Sequence, residues 1–248
     1  RAGEIADAHE KVTVEVLDRE GISAAGMGGL EAVSKGGQHV EPRLITLKYT
    51  GRGGGKVLGL VGKSVTFDTG GISIKPSGGM EEMKMDMSGG AAVLEALDAI
   101  ASLDFAIDII AVLPSTENMP SGTALKPGDI ITQLNGKTVE VTNTDAEGRL
   151  ILADAMVHCA REGADREATT DRLGKRHEVR LDAEVRCRPA EAGRDPGLHL
   201  VEDQQRVVRL REPPRLVVLE GVARGSRGAE TLVGAVVDLV VAVVHADQ

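Results

Sequence analysis

A chain of 248 residues, 42% hydrophobic and 27% charged, is long enough for one or two domains with a substantial core. Its formal net charge of −9 argues against nucleic acid as a main partner. No apolar run reaches the roughly 18 residues of a membrane span, the nearest, 233–244, being interrupted by Asp238. Two cysteines, Cys159 and Cys187, do not make a disulfide framework, and no secretory signal is visible, so a reducing, cytoplasmic setting is expected. The chain opens on Arg1 rather than Met and is read as a fragment.

Residues 3–9 read as helical, and 12–17 alternate as a strand. Residues 23–34 are punctuated by glycine and suit a short helix around Gly26-Met27-Gly28-Gly29. Residues 43–49 and 56–61 flank the glycine-rich stretch 51–55 and are expected to form a hairpin. The second of these apolar runs ends at Lys63 and gives way to a loop marked by Gly70, Gly71, Pro76, Gly78 and Gly79, with Asp68 expected in the loop. Asp86 stands just before a predicted helix over 88–102, and 105–113 reads as a buried strand. Asn135-Gly136 between apolar runs in 128–141 is a two-residue hairpin signal. A helix is expected over 147–161. Hairpins together with strand–helix alternation predict an α/β fold, a mixed central β-sheet flanked by helices.

The octapeptide NTDAEGRL, residues 143–150, is the most informative stretch. Thr144-Asp145-Ala146-Glu147 fits a capping box, Thr144 and Glu147 satisfying free backbone N–H groups ahead of Leu150, Ile151 and Leu152. That reading leaves room for a second one. Asp145 and Glu147 stand two positions apart with Arg149 beyond them, and Lys63, Asp68, Lys75 and Asp86 lie upstream. Carboxylates that gather repel one another unless cations balance them. A strand end, a loop and two helix entrances can converge at one rim of an α/β sheet, where ligand sites usually lie. Gly62-Lys63-Ser64 resembles the end of a phosphate-binding loop, but that motif requires glycine at position 57, which is Val57.

NTDAEGRL and the segment VGKSVTFDTGGISIKPSGGMEEMKMDMSGG, residues 61–90, resemble the leucyl aminopeptidases, two-metal enzymes that remove N-terminal residues from peptides. The resemblance runs from about residue 5 to residue 165. It implies one metal held by Lys63, Asp68, Asp86 and Glu147. It implies a second held by Asp68, Asp145 and Glu147, with Asp68 and Glu147 bridging the pair. Catalytic roles are implied for Lys75 and Arg149, the latter holding bicarbonate as a proton shuttle, and Met83 is implied as a wall of the substrate pocket. Mn²⁺ or Zn²⁺ is expected, and Mg²⁺ is also compatible with hard oxygen ligands. Two adjacent cations would favour the neutral amine of a ligating lysine. They would lower the pKa of a shared water, while the Lys75 ammonium offsets oxyanion charge. The family also implies peptide substrates and a homo-hexamer.

The match stops near Asp165. Up to that point the chain uses nine Lys and six Arg; from Arg166 onward it uses one Lys and thirteen Arg, and no Ile, Asn, Met, Phe or Tyr. Two units are therefore expected: 1–165, a partial aminopeptidase catalytic domain, and 166–248, an unmatched Arg-rich tail of the kind a frameshift in a GC-rich gene would leave. The tail is not expected to complete the sheet of that family, although 215–222 and 231–244 are apolar enough to pack. Two further function classes stay open. One is an inactive, metal-binding remnant of such an enzyme. The other is a PDZ-like peptide-binding module, which Thr123 to Lys137 resembles locally but whose flanks and spacing do not follow.

Overall fold

The computed structural model describes residues 1–51, 55–165 and 216–219. In chain order the elements are α1 (Ala2–Ala8), β1 (Val12–Leu17), α2 (Arg19–Ala25), α3 (Gly28–Ser34), β2 (Arg43–Thr50), β3 (Val57–Gly62) and β4 (Ser64–Asp68). There follow a 3₁₀ helix (Met80–Met85), α4 (Ser88–Ser102), β5 (Asp108–Asn118), β6 (Ile130–Thr132) and β7 (Thr138–Glu140). A second 3₁₀ turn (Thr144–Ala146) leads into α5 (Glu147–Arg161), and β8 is Leu216–Leu219.

The main sheet runs β1-β2-β5-β3-β8, and β4 also pairs with β5. It is mixed: β2 is antiparallel to both β1 and β5, while β3 and β4 are parallel to β5 and β8 is parallel to β3. The hairpin expected of 43–61 does not form. β5 lies between β2 and β3, pairing Tyr49 with Ile109 on one side and Leu58 with Ile109 on the other. The reason is the character of β5. Residues 108–114 are buried without a break, so the strand needs ladder partners on both edges and cover on both faces. Of the connection between β2 and β3, 52–54 lie outside the described residues.

Alternate residues of β5 feed two cores, as a period of two requires. Ile110 and Val112 join α3 and α5 through Leu30, Val33, Ile151 and Ala155. Ile109, Ala111 and Leu113 join α1 and α4 through Ile5, Val93, Leu97 and Ile100. Helices thus cover both faces of the sheet, as expected for the α/β class. One buried carboxylate ties the first layer together. Asp154 Oδ2 accepts from Gly29 N–H at 2.7 Å and Leu30 N–H at 3.1 Å, capping α3, and Asp154 Oδ1 accepts from Leu134 N–H at 2.8 Å.

Several boundaries move. Two helices, α2 and α3, replace the single one around Met27, divided by Gly26 at φ 78°. Asp68 is the last residue of β4 rather than a loop residue. The Asn135-Gly136 hairpin forms between β6 and β7, but its loop is three residues, closed by Gln133 N–H to Lys137 O at 2.9 Å with Gly136 at φ 81°. That is a turn followed by a left-handed glycine, the usual three-residue solution.

The tail contributes one strand: Leu216–Leu219 pairs in parallel with Gly59 to Gly62. The tail is not expected to complete the sheet of the family, and among the described residues these four are what it adds. The other apolar stretch, 231–244, and Cys187 lie outside the described residues. Among the described residues no helix is long and apolar enough to cross a membrane.

Candidate metal centre

β3 and β4 follow one another along the same edge of β5, with Lys63 at the break between them. The Lys63 carbonyl accepts Gly90 N–H at 2.7 Å, which ties the break to the first turn of α4. A Cβ on Gly62 would stand 2.6 Å from the Gly89 carbonyl, so the strand and helix can meet this closely only without a side chain there. Downstream, Asp68 pairs with Asn118, the last residue of β5. The site therefore lies at the carboxyl ends of two parallel strands, where α4 and α5 begin.

Two ion-pair groups meet there. Lys63 Nζ lies 2.7 Å from Asp86 Oδ2 and 2.7 Å from Glu147 Oε1. Lys75 Nζ lies 3.0 Å from Asp68 Oδ2 and also bonds to Asp145 Oδ1. Asp68, Asp86 and Glu147 each offer an oxygen, all within 4.8 Å of one another. Glu147 is 1% exposed and Asp68 3%. All five residues that the resemblance assigns to metal, together with Lys75, are thus brought to one place by segments far apart in the chain.

Burial shapes the protonation of the group. It pushes the Asp86 carboxyl up to about 6, against the pull of Lys63 and with the added repulsion of Asp68. Glu147 is likewise raised by burial, Lys63 opposing and Asp68 reinforcing. Burial pulls Lys63 down, but Glu147 and Asp86 outweigh it and hold the ammonium above its usual value. Lys75 behaves the same way, burial being overcome by its hydrogen bonds to Asp145 and Asp68. Four acids face two lysines, so the pocket keeps an excess of two negative charges when all are ionised.

The donor set fits divalent cations. It offers hard carboxylate oxygens, an amine at Lys63 and converging geometry. Asp86 Oδ2 and Ser88 Oγ are buried without a well-aligned hydrogen bond among the described residues, Asp86 Oδ2 having its ionic contact to Lys63.

The other expected residues stand apart from these pairs. Arg149 is exposed on α5, and Met83 is half-buried in the 3₁₀ helix. The capping box does not form as read. Asn143 accepts Asp145 N–H at 2.9 Å, taking the cap position, while Thr144 Oγ1 donates to the Gly70 carbonyl at 2.7 Å and accepts Ser73 N–H at 2.8 Å. Ser73 Oγ in turn accepts Thr144 N–H at 3.1 Å. Thr144 therefore staples the loop that carries Lys75 onto the turn that carries Asp145, and Glu147 spends its side chain on Lys63 and Asn118 instead of a helix cap.

Asn118 is the residue the sequence did not reveal. Its Nδ2 lies 2.9 Å from Asp68 Oδ1, 3.1 Å from the Thr144 carbonyl and 3.3 Å from Glu147 Oε2. An asparagine near the end of a buried strand carries no local mark of such a role; only its register opposite Asp68 does.

Comparisons with known proteins bear on the same stretch of chain. The sequence profile of the cytosol aminopeptidase family, catalytic domain, matches residues 1–171. A "Probable cytosol aminopeptidase" of Solibacter usitatus is 54% identical over 167 residues, 64% of this chain and 35% of its own. One of the same name from Chlorobium limicola is 56% identical over 150 residues, 60% of this chain and 30% of its own. Among solved structures, leucine aminopeptidase LAP1 of Caenorhabditis elegans aligns with a TM-score of 0.62 at 42% identity, covering 65% of this chain and 32% of that one. The bottromycin maturation enzyme BotP aligns with a TM-score of 0.59 at 42% identity, covering 65% and 34%. The chain spans about a third of the length of the curated relatives it matches. Profile, relatives and solved structures converge on the part of the chain that builds the acid cluster: the chain belongs to the cytosol aminopeptidase family.

Proposed function

We propose that this chain carries the metal centre of a leucyl-type aminopeptidase, which hydrolyses the bond after the free N-terminal residue of a peptide. The observation that supports this best is the convergence of Asp68, Asp86 and Glu147 within 4.8 Å of one another, with Lys63 and Lys75 paired into the same cluster. Lys63, Asp68, Asp86, Asp145 and Glu147 would hold two divalent ions, Mn²⁺ or Zn²⁺ or, on ligand hardness, Mg²⁺. Bound there, such ions supply an acidified water and positive charge for a carbonyl oxygen.

The chain's own side chains supply the rest. Lys75 keeps its proton, since Asp145 and Asp68 both hold the ammonium, and so can offset negative charge building on a scissile carbonyl. Exclusion of water from Glu147 and Asp68 strengthens every charge interaction in the pocket. Arg149, exposed on the first turn of α5, offers a guanidinium fork that matches the planar anion expected there, bicarbonate. Met83 would line the pocket for the first side chain of the substrate.

The test is calorimetry with Mn²⁺ on the full chain and on Asp68→Ala. The native chain is expected to take up two ions, and the variant neither, because Asp68 serves both. Two ions bound by Asp68→Ala would show the assignment to be wrong. Metal-stimulated, chelator-sensitive release of leucine from a leucyl amide would establish the enzyme. Binding of metal without release would instead make the chain a metal-binding remnant.

A further inference from the structure

We propose that Asn118 is a positioning residue that fixes how Asp68 and Glu147 present their oxygens to cations. The proposal deepens the metal-centre reading above and rests on it. Asn118 is 4% exposed, so its amide has exchanged water for protein partners. Its Nδ2 carries two protons and faces three acceptors: Asp68 Oδ1, the Thr144 carbonyl and Glu147 Oε2. The remaining oxygens of the same two carboxylates, Asp68 Oδ2 and Glu147 Oε1, are the ones that Lys75 and Lys63 hold. Each carboxylate thus has one oxygen on the amide and the other on a lysine, and Asp68 Oδ1 also accepts Gly70 N–H at 2.8 Å.

Asn118 acts through its main chain as well. Its carbonyl accepts Thr69 N–H at 3.0 Å and Thr69 Oγ1 at 2.7 Å, which pins the residue after Asp68. The loop closes over the same side chain: a Cβ on Gly71 would lie 2.8 Å from Asn118 Oδ1.

The chemistry selects an amide at this position. A lysine or arginine would cut the negative excess of the cluster and compete with metal, and an acid would add repulsion to two buried carboxylates. A neutral donor orients both without altering the charge available to a cation.

The experiment measures Mn²⁺ binding by calorimetry on the full-length chain for native protein, Asn118→Leu, which keeps the volume and removes the donors, and Asn118→Ser, which retains one hydroxyl donor. Urea unfolding of the metal-free proteins is measured beside it. The expected result is Mn²⁺ affinity about 10–100-fold weaker in Asn118→Leu, the usual loss when a partner behind a metal ligand is removed, and a smaller loss in Asn118→Ser. Should Asn118→Leu not fold, a weakened Asn118→Ser supports the proposal. A lowered unfolding midpoint with native Mn²⁺ affinity in every variant that folds would mark Asn118 as a packing residue and overturn it. A native chain that takes up no Mn²⁺ would overturn the metal-centre reading itself and this proposal with it.

Discussion

The Lys75–Asp145 pair joins the loop after β4 to the entrance of α5. The Lys75 ammonium bonds to Asp145 and lies 3.0 Å from Asp68, so it balances two carboxylates while remaining charged. Because no ligand role is implied for it, Lys75→Ala should keep its Mn²⁺ stoichiometry in calorimetry yet lose leucyl-amide turnover by about 10²-fold or more, the loss typical of a charge aimed at an oxyanion. Loss of metal with a small loss of rate would place Lys75 among the ligands instead. Gly71 is constrained by its neighbours and by its backbone, which sits at φ 66°. Gly71→Ala would meet Asn118 Oδ1 and Thr144 Oγ1 at 2.8 and 3.1 Å and would adopt a left-handed conformation costing about 1–2 kcal/mol before any clash is relieved. Urea unfolding should show a loss of at least that size, and an unchanged midpoint would mean the loop is free to move aside.

Among the elements, α5 does the most. Its first residue, Glu147, meets Lys63 and Asn118; its middle, Asp154, caps α3; its last turn packs on β2 through His158. His158 Nε2 is 3.1 Å from Thr46 Oγ1, and burial holds the ring below its usual 6.5, Glu162 and Glu15 opposing while Lys48 and Arg161 reinforce. A depressed pKa means the fold favours the neutral ring. Its contribution to stability is therefore fully present above the unfolded value and is lost as pH falls through the folded one. His158→Asn should flatten the decline in urea stability between about pH 7 and 5, the range below the ordinary histidine pKa. An identical slope in both proteins would remove His158 from the acid response. The Cys159 thiol beside it is pushed up to about 12 by burial and is inert packing rather than a nucleophile.

At the scale of the whole molecule, the family match ends at residue 171, and the sheet beyond β3 is continued by the four residues of β8. Metal ligands must be held to within about 0.5 Å by the packing behind them. Replacing 166–248 with the C-terminal segment of a cytosol aminopeptidase relative is therefore expected to raise leucyl-amide hydrolysis well above that of the native chain. Equal and high rates from both would show the Arg-rich tail to be a working substitute. The homo-hexamer implied by the resemblance belongs to the same proposal and is checked by the mass of the chimera beside that of the native chain.

The sequence by itself determined the family and the members of the cluster. NTDAEGRL and residues 61–90 are short, contiguous signals, and every acid and lysine now found in the cluster could be named from them. The strand over 12–17 and the helix over 88–102 were equally readable, because local periodicity reports the kind of element. What only the tertiary structure decided was pairing across distance. Neither flank of β3 shows that β5 will slide between it and β2, since two apolar strands beside a glycine-rich turn satisfy the hairpin pattern just as well. Thr144 fits a cap locally, but its hydroxyl finds the Gly70 carbonyl and Ser73 N–H on a loop that the chain order places far away. Asn118 lies 50 residues from Asp68 and 29 from Glu147, and its contacts come from strand register and the docking of α5. Hydrogen bonds between distant segments leave no trace in local composition; they exist only once the buried strands have brought their ends together.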